Sequence, residues 1–358
     1  MPATRFNQEK IQGEVVISGV AGTFPETCDV EQFAKKLYNG METIYETKTD
    51  SMRSTKTTEF DYEFFGINKE VAMNMNLLSK YLVEQTYDCI VDSGMISSEL
   101  RGSNTGVFVA TNQTVQQKMT MAETLQTVFK FNGPSKTYEN QYASAFMALN
   151  AAVLSMQNGE CKQAIVAGCE LVGSDNTVGV IFLQKRTECK RFYAMILDSI
   201  MYPCQSFETL EAKKLKEVYA SWKIDPSLIT YVENYGNPTR VMEEYKALTD
   251  IFAPQTMQRS LPVYIGTTQD YLVDQYQRQN FTGIFSLMKM IISIQRGIIP
   301  RSVCQQEVNM LCKDVKLVKE NTKFYGGLMA FNSFGLNGMN AHFVLQPNTD
   351  YLMSKLGK

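Results

Sequence analysis

The stretch GPSKTYENQYASAF, Gly133 to Phe146, decides how this chain is read. A polar run passes into a segment of small and apolar residues, the pattern of a strand–turn–helix junction. Such junctions bring a side chain to a helix N-terminus, where free backbone N–H groups and the helix dipole favour negative charge. A nucleophile is the residue usually presented there. Here the tip of the turn carries Gln141 and Tyr142, and neither is an obvious nucleophile.

Outward from this junction, strand-like apolar runs alternate with helix-like segments, the order of an α/β protein. Glu14–Gly22 reads as a buried strand leaving through a glycine turn. The helix after it has Asp29 as N-cap and Gly40 as its stop. Met75–Gly94 is a long amphipathic helix, Asn104–Asn112 a strand, and Ala143–Gly159 a helix whose small residues suit close packing. Lys162–Val172 and Thr177–Gln184 read as central strands. In the second half, strands at Arg191–Ile200 and Leu228–Gly236 flank a polar helix, Glu208–Trp222. A strand at Leu261–Thr268 and a helix at Phe281–Gly297 follow. Two strands joined by a glycine-bearing turn, within Gly327–Gln346, complete the order. The halves have similar element orders, and no Pro/Gly/Ser linker separates them.

The formal net charge is −2 and no dense Lys/Arg stripe stands out, which argues against nucleic acid as a partner. No window approaches the ~20 apolar residues of a membrane span, and the N-terminus lacks a signal-peptide core. A cytoplasmic protein with no membrane span is therefore expected. The eight cysteines include no C-x-x-C pair, and several, in apolar surroundings, read as small buried hydrophobes. His342 is the only histidine. One histidine cannot supply a two-histidine metal site or a Cys-His-His triad, and neither metal nor cofactor is expected.

The order of motifs resembles the β-ketoacyl synthase family, especially the ketosynthase domain of animal fatty acid synthases. The likeness begins at VVISGVAGTFPET and continues through FDYEFFGINKEVAMNMN (Phe60–Asn76), SSELRGSNTGVFVA and FNGPSKT. GECKQAIVAG, YVENYGNPT, RGIIP and NSFGLNGMNAH follow in family order, so the motifs span Val15 to about Leu345. The resemblance implies a thiolase-like fold, with two related α/β halves in αβαβα layers. The halves are set at residues 1–172 and 173–358, forming one compact unit. It also implies a homodimer.

The chemistry that the resemblance implies can be followed residue by residue. The family uses a cysteine at the helix N-terminus, two histidines and a lysine. Aligned from GPS, the cysteine position is Tyr142; the first histidine position is Tyr235, in the run Glu233–Asn237. Counting forward from Ile265–Thr268 puts the lysine and second histidine at Gln269 and Asp274, while counting back from the next helix gives other positions. Between Lys246 and Lys289 there is neither lysine nor histidine. His342 matches a family motif near the active site, outside the histidine pair, and reads as a structural, hydrogen-bonded histidine. Leu336 and Asn337 replace the usual Phe-Gly before it. A phenol is a poor acyl nucleophile at neutral pH, with a pKa of about 10.

The expectation is therefore a ketosynthase-like protein without condensing activity. Tyr142 and Tyr235 would fill a vacated pocket, with Gln141, Phe146, Phe334, Asn337 and His342 as candidate lining. Three roles follow: a dimeric structural or storage scaffold, a carrier of a hydrophobic small molecule, or a regulatory partner of an active ketosynthase homologue. A residual malonyl decarboxylase, with Gln141 at the cysteine position, is a further alternative; it would still need the histidines.

Overall fold

Val15–Thr23 (β1) is buried along nearly its whole length, and the strands beside it organise the protein. The computed structural model describes residues 14–24, 27–39, 60–112, 119–139, 143–172, 175–203, 209–234, 241–267, 282–302, 312–334 and 339–356. After β1 come α1 (Val30–Asn39), α2 (Lys69–Asn74), α3 (Leu77–Asp92), β2 (Thr105–Thr111) and α4 (Met121–Phe129). β3 (Ser135–Glu139), α5 (Ser144–Gln157), β4 (Gln163–Val172), β5 (Asp175–Lys185) and β6 (Ala194–Pro203) follow. Next are α6 (Thr209–Trp222), β7 (Ile229–Asn234), α7 (Val241–Phe252), β8 (Val263–Thr267) and α8 (Thr282–Arg296). The chain closes with β9 (Ile298–Ile299), β10 (Val315–Leu317), β11 (Thr322–Lys323), β12 (Leu328–Phe334), β13 (Met339–Pro347) and α9 (Thr349–Leu356).

Local chemistry sets these elements. Asn76 caps α3 by accepting from the Ser79 amide at 2.7 Å, and Gly94 turns the chain beyond its end at φ +82°. Thr120 and Glu123 form a reciprocal capping box at the start of α4, a feature worth about 0.5–2 kcal/mol. Asp29 accepts from the Gln32 amide at 2.7 Å and so caps α1. At Gly19 a Cβ would lie 2.2 Å from the Cys89 carbonyl, so only glycine lets β1 run this close to α3.

The main sheet has 11 strands in the order β10-β8-β7-β12-β13-β6-β1-β5-β4-β2-β3. It contains one pattern twice. In β3-β2-β4-β5-β1 the first three strands are parallel and the next two alternate in direction; β8-β7-β12-β13-β6 repeats this. The repeats meet where Val15–Ile17 pairs with Ala194–Ile196. The chain passes from the first repeat to the second between Lys185 and Ala194.

Alternation along the strands separates the cores. Val107 and Val109 of β2 join Leu82 of α3 and Leu125 of α4, whereas Phe108 and Ala110 face α5 and α8. In the second repeat Met329, Phe331 and Phe343 face α5 and α8, while Ala330 and Val344 meet Leu215 of α6 and Leu248 of α7. The result is five layers: α3/α4, sheet, α5/α8, sheet, α6/α7. This is a mixed α/β architecture of the thiolase type. No described helix is long and apolar enough to cross a membrane.

Candidate functional site

The parallel strands β2, β3 and β4, and their counterparts β7, β8 and β12, form two parallel sets, and α/β proteins hold ligands at the carboxyl ends of such sets. In chain order, Gln141 and Tyr142 fall between β3 and α5, and Tyr235 directly follows β7. Gln269 and Asp274 come after β8, and Asn337 lies between β12 and β13. These six positions lie outside the described residues. Phe334 is the last residue of β12, its backbone registered with Asn340 of β13.

Phe146 sits in the inner layer and is buried. Its ring centroid is 5.4 Å from that of Phe331 and 6.0 Å from that of Phe343. A Cβ on Gly283 would come within 2.7 Å of the Phe146 ring, so the first turn of α8 rests directly on it. Among the described residues, this part of the inner layer is filled by aromatic packing.

His342 faces the other way. Its neighbour Phe343 points to α5 and α8, whereas the His342 ring lies among Tyr219 and Trp222 of α6 and Phe252 of α7. The structure therefore does not bring His342 and Phe146 together. Nδ1 of His342 pairs with Asn332 Oδ1, and Nε2 lies 2.9 Å from the Tyr219 hydroxyl. A carbonyl oxygen can only accept, so Nδ1 carries the proton and Nε2 accepts from Tyr219. Burial pushes the His342 pKa down to about 3 and the Tyr219 phenol well up, so both stay neutral near pH 7.

Sequence reasoning did not single out the ion pair at the ends of β7 and β8. Lys289 of α8 places Nζ 3.0 Å from Glu233 Oε2 and donates to the Thr267 carbonyl at 2.9 Å. Tyr231 donates its hydroxyl to the same carboxylate. Both charged side chains are 0% exposed, so removal of one partner would strand the other charge in the core. Asn234, one residue on, points to the outer layer and donates to Glu244 of α7 at 2.6 Å. The available signal was Lys289 itself, the one charge in the run IFSLMKMIISI.

The described cysteines bring no activated thiol to this region. Burial pushes Cys161 up to about 11 and Cys169 up to about 12, the reverse of what a nucleophilic thiolate needs.

Residues 12–187 match the family model "Beta-ketoacyl synthase, N-terminal domain", which ends within the turn between the two repeats. A fatty acid synthase of Anser anser anser is 24% identical over 359 residues, covering 80% of this chain and 99% of that sequence. Polyketide synthase PksR of Bacillus subtilis (strain 168) is 24% identical over 436 residues, covering 97% of this chain. The chain spans only 17% of the length of PksR. Among solved structures, the oxazolomycin ketosynthase domain OzmH KS8 of Streptomyces albus JA3453 superposes with a TM-score of 0.75 at 20% identity. That match covers 94% of this chain and 96% of that one. The ketosynthase from module 6 of the bacillaene synthase of Bacillus subtilis 168 gives a TM-score of 0.79 at 17% identity, covering 93% and 70%. The chain is accordingly similar, over residues 12–187, to the N-terminal domain of β-ketoacyl synthases and, over most of its length, to fatty acid and polyketide synthases, and it shares the fold of ketosynthase domains.

Proposed function

We propose that this domain does not carry out the condensing reaction and serves as a non-catalytic scaffold, most simply as a homodimer. One observation carries the reading. The only histidine in the chain is buried, neutral and held at both ring nitrogens by Tyr219 and Asn332. Neither nitrogen has a free lone pair or proton with which to stabilise an enolate. The other positions that the resemblance assigns to the reaction hold Tyr142, Tyr235, Gln269 and Asp274, none of them cysteine, histidine or lysine. A malonyl decarboxylase using Gln141 would meet the same shortage of histidines.

Between scaffold and lipid carrier, the packing of Phe146 against Gly283, Phe331 and Phe343 favours the scaffold. A carrier needs apolar volume, and in this part of the inner layer aromatic rings occupy it. Native mass spectrometry of the protein purified from its own source tests this choice. The scaffold reading expects a homodimer of sequence mass with no adduct. A reproducible extra mass that leaves on denaturation would favour the carrier, and a stable pair with an active ketosynthase homologue would favour the regulatory-partner role.

A further inference from the structure

We propose that a cleft on the outer face of the first repeat binds a small aromatic carboxylate. Four rings line it, Phe64, Phe65, Tyr87 and Phe129. Phe65 stacks on Phe60 at 5.5 Å and 9°, and meets Tyr87 of α3 and Phe129 of α4 edge-on. Phe64 stands edge-on to Phe65 and to Tyr87, with centroids 5.0 Å away in each case, yet remains 58% exposed. These walls enclose a cleft of about 250 Å³, completed by Val128, Ser97 and Arg101.

The lining selects the ligand. Edge-to-face walls accept a further flat ring with favourable quadrupole contacts. Among the described residues no carboxylate lines the cleft. Among the described residues Arg101 forms no ion pair, so its guanidinium can offer two parallel N–H donors to a carboxylate. The volume is below the range of drug-sized sites, which limits the molecule to one or two rings. The cleft lies on the α3/α4 side of the sheet, apart from the inner layer, so the proposal does not depend on whether the domain is catalytic.

The test is a fluorescence titration of the full chain with 2-naphthoate, using 2-naphthylmethanol as the uncharged comparator. Saturable one-to-one binding of the acid is expected, with the alcohol roughly tenfold weaker or worse. Arg101→Gln and Phe64→Ala should each weaken binding by about tenfold, with Arg101→Lys in between because a point charge loses the fork. Both residues are exposed, so the variants should unfold at the wild-type temperature, and a thermal scan verifies this. Photolabelling with 4-benzoylbenzoate should mark the peptides bearing Phe64, Tyr87 or Arg101. Absence of saturable binding, unchanged affinity in Arg101→Gln, or labelling confined to other peptides would each overturn the proposal.

Discussion

Tyr219 and His342, 123 residues apart in the chain, share a 2.9 Å hydrogen bond that ties α6 to β13 beneath the outer helices. Asn332 takes the other ring nitrogen, and Trp222 and Phe252 stack over the imidazole. A residue type usually kept for proton transfer is here a neutral part of the core.

That arrangement makes stability depend on pH with a definite sign. The folded pKa of His342, about 3, lies below its ordinary value of 6.5. Between those values the unfolded chain binds more protons, so stability rises with pH through this window and levels off above it. Acidification below the ordinary pKa should therefore cost up to about 1.4 kcal/mol per pH unit through this residue. Urea midpoints measured from about pH 7.5 to about pH 5.5 should show a steeper loss in the wild type than in His342→Gln. Equal slopes in both proteins would show that the ring is accessible to protons in the native state.

The Glu233–Lys289 pair should be strongly asymmetric to mutation. Lys289→Met leaves a buried carboxylate without its cation and should cost about 3–5 kcal/mol. Adding Glu233→Gln removes the stranded charge, and the double variant should recover much of that loss. Chemical denaturation of the four proteins gives the coupling energy directly. Additive losses would mean that the two side chains do not share one buried site.

Packing around Phe146 should couple to Gly283. Phe146→Ala opens a cavity in the inner layer and should destabilise by about 3–5 kcal/mol. Gly283→Ala should be destabilising alone, since its new methyl would meet the Phe146 ring, and milder in a Phe146→Leu background. The same penalty in both backgrounds would trace the effect to the backbone of α8.

Alkylation should follow burial. Cys28 is exposed, whereas Cys89, Cys161 and Cys169 are buried and their thiols pushed up by desolvation. Timed iodoacetamide labelling read by peptide mass should modify Cys28 before Cys89, Cys161 and Cys169. Fast labelling of Cys161 or Cys169 in the folded protein would contradict the structure.

Strong periodicity made most strands and the helices α1, α3, α5, α6 and α8 legible in the sequence. The weaker signals were also local. The capping box of Thr120 and Glu123 announces α4, and Tyr245, Leu248 and Phe252 carry the helical spacing of α7 among charged residues. β6 begins at Ala194 rather than Arg191, because Arg191 and Tyr193 instead reach Asp92 at the end of α3. The site was harder to read for a different reason. Glu233 and Lys289 are 56 residues apart, and nothing in their spacing tells that they meet. Nor does the sequence near His342 reveal whether the ring faces α5 or α6, since strand alternation fixes only its relation to Phe343.

Turnover decides whether any condensing chemistry remains. Carbon dioxide release from a malonyl thioester on an acyl carrier, followed beside an active ketosynthase, is the measurement. A rate equal to buffer is the expected result. Release above buffer that disappears in Tyr142→Phe would contradict the account and assign catalysis to the residue at the tip of the junction.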